Sequence, residues 1–247
     1  AVSEGEPYQD LASYSLEADG DTFILKDASG EPVEADENGL LQIEDRVFEL
    51  EDGRILSVSQ RPQEFNGNHY FLKDGKIYWS ESEGSGTMLR QSGERTDSFC
   101  IVGQTLYYSA YMGTNEIGLG TSRIYRIDLE TMEEETASQT FEGRVTALWC
   151  SAEDGCVYGE HGAENGQPVR GRIVCIPENG GIYAIDDTDS RPQGVRGGSE
   201  WMRFLTSDGG NIYCLWQDCA GNPVSGNAEV LCTEPVILER EKIIYLH

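Results

Sequence analysis

The segment Asp74-Gly75-Lys76-Ile77-Tyr78 carries a complete hairpin signal. Asp-Gly favours positive φ at both centres of a two-residue turn, which matches strand twist. An aliphatic residue followed by an aromatic then opens the return strand. The same element recurs as Gly103-Gln104-Thr105-Leu106-Tyr107, as Asp154-Gly155-Cys156-Val157-Tyr158 and as Asp208-Gly209-Gly210-Asn211-Ile212-Tyr213. Lys242-Ile243-Ile244-Tyr245 ends the series without a glycine. Upstream, Arg46 to Leu50 and Arg54 to Val58 flank Asp52-Gly53 as another hairpin, and Thr22-Phe23-Ile24-Leu25 opens the same region.

A second strand signal follows each middle repeat at a nearly constant offset. Ile124 lies 17 residues after Tyr107, Ile173 lies 15 after Tyr158, and Glu229 lies 16 after Tyr213. The aromatic anchors 78, 107, 158, 213 and 245 are 29, 51, 55 and 32 residues apart. Their mean spacing, about 42, is that of four-stranded propeller blades. The sequence therefore predicts an all-β β-propeller of four-stranded antiparallel blades. Five blades are favoured, with six as the alternative if residues 8–60 hold two thin ones. The segments fall at 8–62, 63–97, 98–143, 144–199 and 200–240, making one domain over 8–247 after a linker at 1–7. The strand at 242–246 is expected to pair into the first blade and close the ring, since closure removes exposed edges.

Tyr78-Trp79-Ser80-Glu81 and Ile124-Tyr125-Arg126-Ile127-Asp128-Leu129-Glu130-Thr131 resemble the two halves of a YWTD-type blade, as in low-density-lipoprotein-receptor propellers. More closely, the chain resembles bacterial secreted propellers of unknown function. The resemblance covers roughly residues 65–247 and implies a fold, and a place outside the cytoplasm or on the cell surface. It does not imply an activity.

Charge narrows the partners. Lys and Arg number 18 against 44 Asp and Glu, so 18 − 44 gives a net −26. Such a chain repels nucleic-acid phosphates and anionic membrane surfaces. No run of about 18 apolar residues is present to span a bilayer. The start, Ala1-Val2-Ser3-Glu4, reads as a segment from which a targeting sequence has been removed. The seven cysteines include no CxxC and are accompanied by three histidines, 69, 161 and 247, so neither a structural zinc nor a cofactor is expected. Cys150 and Cys156 flank a turn, which makes them the candidate disulfide pair. A monomer is expected.

Propeller geometry gathers the loops 80–87, 111–122, 160–171 and 216–227 on one face. Their rims carry Trp79, Tyr111, His161, Arg170 and Trp216, with Glu81 and Glu160 beside them. Aromatic and cationic groups with flanking carboxylates suit a sugar or a peptide, which makes these the candidate ligand-binding residues. The same tryptophans are expected between blades if they are structural. A glycoside-active propeller is the alternative function. It requires two carboxylates about 5–10 Å apart in the central funnel, and the inner strands Cys100-Ile101-Val102, Ala147-Leu148-Trp149 and Phe204-Leu205-Thr206 are apolar. Asp186-Asp187-Thr188-Asp189-Ser190 offers clustered oxygens of the kind calcium takes, but reads better as a solvated acidic loop. The function expected is non-catalytic recognition of a protein or carbohydrate.

Overall fold

The computed structural model describes residues 14–43, 45–81, 86–151, 155–163, 169–192 and 194–246. The expected linker 1–7, residue 154 of the third Asp/Gly turn, and residue 247 lie outside these. The described chain is all-β, and its contacts divide it into two units, Ala1–Arg61 and Pro62–His247. Among the described residues no helix is long and apolar enough to cross a membrane.

The first unit holds one antiparallel sheet. Its strands are β1 (Ser15–Asp19), β2 (Thr22–Lys26), β3 (Leu40–Ile43), β4 (Arg46–Glu51) and β5 (Arg54–Gln60), in the order β1-β2-β5-β4-β3. The β4–β5 turn places Asp52 and Gly53 at φ 50° and 79°, the two positive values a type I′ turn requires. Phe23, Leu25, Phe48 and Ile55 are buried, as is Arg46, which pairs with Asp45 at 2.6 Å.

The second unit holds four sheets in chain order. The second sheet of the protein is β6 (Gln63–Phe65), β7 (Asn68–Lys73), β8 (Lys76–Ser80) and β9 (Thr87–Met88). The third is β10 (Arg95–Val102), β11 (Thr105–Thr114), β12 (Gly120–Asp128) and β13 (Glu134–Thr136), with β14 (Phe141–Glu142) also on β12. The fourth starts with β15 (Arg144–Ser151), β16 (Cys156–Gly162), β17 (Arg172–Ile176) and β18 (Tyr183–Ile185). The fifth has only β19 (Gly198–Ser207), β20 (Asn211–Asn222) and β21 (Asn227–Glu239). These sheets follow the segments the repeat spacing marked out only in part: β10 begins at Arg95 and β19 at Gly198, each ahead of its segment, the fourth sheet takes a strand from beyond residue 240, and only one sheet has four strands.

The last strand corrects an expectation. β22 (Ile243–Tyr245) pairs antiparallel with β18, with Ile244 opposite Ala184, and becomes the outer strand of the fourth sheet rather than joining the first. Leu246 then enters the core beside Ile182 and Ala184, and its amide donates to the Ile182 carbonyl. Burial of that leucine, together with the ladder, fixes the strand there.

The aliphatic-aromatic pairs explain how the sheets stack. Adjacent residues of a strand point to opposite faces. Ile77, Leu106, Val157 and Ile212 are all buried. In the third and fourth sheets the partners Tyr107 and Tyr158 are buried too, so both faces of these sheets are covered. In the second and fifth sheets Tyr78 and Tyr213 are half-exposed. The third and fourth sheets are thus the middle layers of this unit. One core gathers Tyr70, Ile77, Phe99, Leu106, Tyr108 and Ile127 from the second and third sheets. Another gathers Tyr107, Ile124, Phe141, Leu148, Val157 and Val174 from the third and fourth. The fourth meets the fifth through Tyr158 stacked on Phe204, centroids 4.9 Å apart.

Each of β10, β15 and β19 carries a register shift, at Thr96/Ser98, Val145/Ala147 and Phe204/Thr206. Such a bulge leaves a backbone group off its ladder. A side chain of the preceding sheet takes it up: Ser98 Oγ donates to the Val145 carbonyl at 2.8 Å, and the Phe204 amide donates to Glu160 Oε1 at 3.1 Å. The Ile101 amide likewise donates to Gln63 Oε1 at 2.7 Å. First strands are thereby pinned sheet to sheet.

The candidate Cys150–Cys156 disulfide does not form, and five of the seven cysteines are buried. Cys150 stands opposite Val157 and Cys156 opposite Ser151, so the two side chains lie on opposite faces of the sheet, and all seven cysteines are thiols. At the β7–β8 turn, Asp74 and Gly75 adopt φ 51° and 69°, and a Cβ on Gly75 would approach Arg95 Cβ to 2.9 Å. Gly75→Ala is expected to cost about 1–2 kcal/mol, from the left-handed backbone alone, read as a lower urea midpoint with an unchanged slope.

Candidate functional site

The two-residue turn at Asp74-Gly75 sets the pairing Lys73↔Lys76, Phe71↔Tyr78 and His69↔Ser80. Directly opposite residues share a face, so His69, Phe71, Lys73, Lys76, Tyr78 and Ser80 form one surface. Tyr70, Ile77 and Trp79 point the other way, into the core shared with the third sheet. On the outer surface the Phe71 and Tyr78 rings stack at 5.7 Å with 15° between planes. Phe71 keeps 38% of its surface exposed. The rings, with Pro62, His69, Lys73, Ser80 and Gly86, line a hollow of ≈ 610 Å³. Gly86 lies along the plate: a Cβ there would come within 2.8 Å of Phe71 Cζ.

The polar groups sit at the ends of this plate. His69 Nδ1 is 2.9 Å from Glu64 Oε1, which orients the imidazole. Lys73 and Lys76 face each other at the turn end, two of the four lysines in the chain. Like charges directly opposite one another repel. The arrangement offers a flat apolar plate with an imidazole at one end and two ammonium groups at the other.

The five residues marked by the sequence are dispersed. Trp79 is half-buried against the core of the second and third sheets. Tyr111 lies on β11 under the Arg95 guanidinium, 4.7 Å from its ring centre. Arg170 Nη2 reaches Asp187 at 3.2 Å. His161 and Trp216 are interior residues rather than rim residues, at 5% and 1% exposure. The reason is strand length: β20 runs to Asn222 and its loop begins only at Pro223, so Trp216 is mid-strand. Residues 111–114 and 160–162 are likewise strand, which shortens the expected loops. Trp216 Nε1 donates to Glu200 Oε2 at 2.8 Å. His161 Nε2 bonds the Glu142 carbonyl at 2.8 Å, while its Nδ1 is buried with no hydrogen-bond partner. Burial, and secondarily the Arg172 charge, push the His161 pKa down to about 4.

Glu160, expected at the rim, is also interior. It accepts from Trp201 Nε1 and the Phe204 amide and lies 3.3 Å from Arg203 Nε. Asp187 is not a solvated loop residue either. It is 4% exposed and pairs with both Arg170 and Arg191, and Arg191 also binds Glu200. Asp218 accepts from the amides of Arg196 and Gly197. These interior carboxylates are ion-pair and hydrogen-bond centres between strands and loops. Among the described residues no cluster of three or more His, Cys, Asp or Glu has the geometry to hold a metal.

The residues that make the aromatic plate escaped the sequence reading. The turn that aligns them was legible, and counting outward from Asp74-Gly75 pairs Phe71 with Tyr78 directly. No protein-family model matches this chain, and no curated protein matches it either.

Proposed function

We propose that this protein is a non-catalytic recognition module outside the cytoplasm that binds a carbohydrate on the outer surface of its second sheet. The observation that carries the reading is the Phe71–Tyr78 stack lining the ≈ 610 Å³ hollow, with polar groups at its ends. A sugar ring presents C–H groups on its faces and hydroxyls at its edge, and an aromatic plate with a polar border matches both. Lys73 and Lys76 make a carboxylated sugar the best fit at the turn end.

We also propose a β-propeller arrangement for the sheets of residues 62–247. Its support is the sheet-by-sheet order along the chain, the contacts of β10 with β15 and of β15 with β19, and the YWTD-type resemblance. A module of this kind uses a rigid scaffold to hold its binding surface in shape.

A glycan array that includes neutral and uronic-acid oligosaccharides tests the function. Binding is expected, with Phe71→Ala and Tyr78→Ala each weakening it at least tenfold, about 1.4 kcal/mol. Lys73→Gln with Lys76→Gln is expected to weaken only the acidic glycans. Wild-type binding by both aromatic variants would place the ligand elsewhere, and binding of peptides but no glycan would favour a protein ligand.

A further inference from the structure

The register of the second sheet carries its outer surface past the aromatic pair. Tyr78 stands opposite Met88 on β9, so Phe71, Tyr78 and Met88 form one row across three strands. Met88 is 56% exposed. Beyond Met88 the ladder continues: the Leu89 amide donates to the Ile77 carbonyl at 2.8 Å, and both side chains lie in the core. Adjacent residues point to opposite faces, so Arg90 turns outward beside Lys76. Lys73, Lys76 and Arg90 therefore make a second row, parallel to the first and two residues along each strand from it.

Strands lie about 4.8 Å apart, so each row is about 10 Å long. Two residues along a strand separate the rows by about 7 Å. One row is apolar and the other is cationic. Lys73 and Arg90 are exposed and Lys76 is half-exposed. None of the three has a carboxylate partner among the described residues, although acids outnumber bases 44 to 18. Elsewhere the chain pairs its arginines: Arg95 and Arg144 share Asp97, and Arg191 takes Asp187 and Glu200. Three adjacent cations left without acids reverse the sign of the charge locally on an acidic protein.

We propose that this surface selects a polyacidic oligosaccharide, one that carries at least two carboxylate or sulfate groups along one side. The inference rests on the carbohydrate reading above and adds the ligand's charge pattern, its direction and a third cation. Sugar faces cover the Phe71–Tyr78–Met88 row while the acidic side follows the Lys73–Lys76–Arg90 row. The bound chain thus crosses the strands instead of running along them. A single uronic acid meets only part of a row about 10 Å long, and a second acidic group uses the rest. Arg90 is the specificity-determining residue. Its planar fork takes a carboxylate or sulfate through two parallel hydrogen bonds, where a lysine offers a point charge.

Calorimetric titration of the full chain with a galacturonic acid hexamer, cellohexaose and free galacturonic acid tests this. The hexamer is expected to bind at least tenfold tighter than either of the others, with its lead shrinking as salt screens the exposed charges. A chondroitin sulfate hexasaccharide alongside it tells sulfate from carboxylate, and tight binding of either supports the proposal. Arg90→Gln is expected to weaken the acidic hexamer about fivefold, the scale of an exposed charge pair. Lys26→Gln, which removes the same charge from a lysine paired with Glu17 in the first unit, is expected to leave its affinity unchanged. Equal affinity for the acidic hexamers and cellohexaose, or equal losses from the two substitutions, overturns the proposal and leaves the carbohydrate reading standing. Binding of no glycan by the folded wild type overturns both.

Discussion

Arg191→Ala is expected to lower folding stability by about 3–5 kcal/mol, the cost of stripping a buried charge of its partner. Arg191 is almost wholly buried: its side chain keeps 7% of its surface, against 6% for Asp187 and 15% for Glu200. One guanidinium pairs with both carboxylates and also donates to the Gly171 carbonyl at 2.8 Å. Removing it leaves two carboxylates together in a place water barely reaches. Arg170 cannot replace it, because its side chain is 47% exposed and among the described residues its ion pair is with Asp187, not Glu200. Arg170→Ala is therefore expected to cost no more than about 1 kcal/mol, as half-exposed ion pairs do. Urea denaturation of the two variants at neutral pH measures the contrast. Equal losses would show that the arginines share the load and that the burial argument is wrong.

The second large effect is a pH dependence centred on His161. Its pKa when folded is about 4, below the usual 6.5. Above pH 6.5 the imidazole is neutral in both states and contributes no pH dependence. As pH falls from 6.5 towards 4, the unfolded chain takes up a proton that the folded chain refuses. Stability present above pH 6.5 is thus lost progressively in that window. The full loss, from a shift of about 2.5 units, is about 3 kcal/mol. The physical cause is plain in the geometry: the bare Nδ1 is buried, and its protonation would place a cation there near Arg172. His161→Gln keeps a donor for the Glu142 carbonyl and has no proton to gain. Its stability should therefore fall less than that of the wild type between pH 6.5 and 4, by the His161 contribution. The carboxylates that hydrogen bonds hold below their usual range, Asp27, Asp36, Asp128 and Asp186, begin to lose their contribution as pH nears 4, but they do so equally in both proteins, so the difference between the two curves isolates His161. Parallel curves for the two proteins would remove His161 from the account.

Local chemistry was legible and distant chemistry was not. Asp52-Gly53 and Asp74-Gly75 announce their turns because a two-residue turn is settled by its own residues. The Ile-Tyr and Leu-Tyr pairs announce strands for the same reason. What the pairs also encode, covered faces in the middle sheets and open ones in the outer sheets, depends on which sheets stack. The Glu160–Phe204 and Ser98–Val145 bridges join residues 44 and 47 apart, and no local pattern marks them. Trp216 illustrates the cost of reading loop ends by composition. Gly221, Asn222 and Pro223 look like loop from the sequence, yet β20 extends through Asn222 before the chain turns. The aromatic plate is the intermediate case: its alignment follows from a local turn, but the openness of that face follows from packing.

The pairing of β22 with β18 has a consequence for synthesis. Tyr183 and its partner Tyr245 are 62 residues apart. The first, second, third and fifth sheets are each complete once their own contiguous stretch has left the ribosome, and domains generally fold in that order as they emerge. The fourth sheet cannot finish until the fifth has been made. Until then β18 presents an unpaired edge, the kind that recruits strands from other chains. The nascent protein therefore passes through a stage in which β18 is the outer strand of the fourth sheet, a place that β22 takes once it has been made.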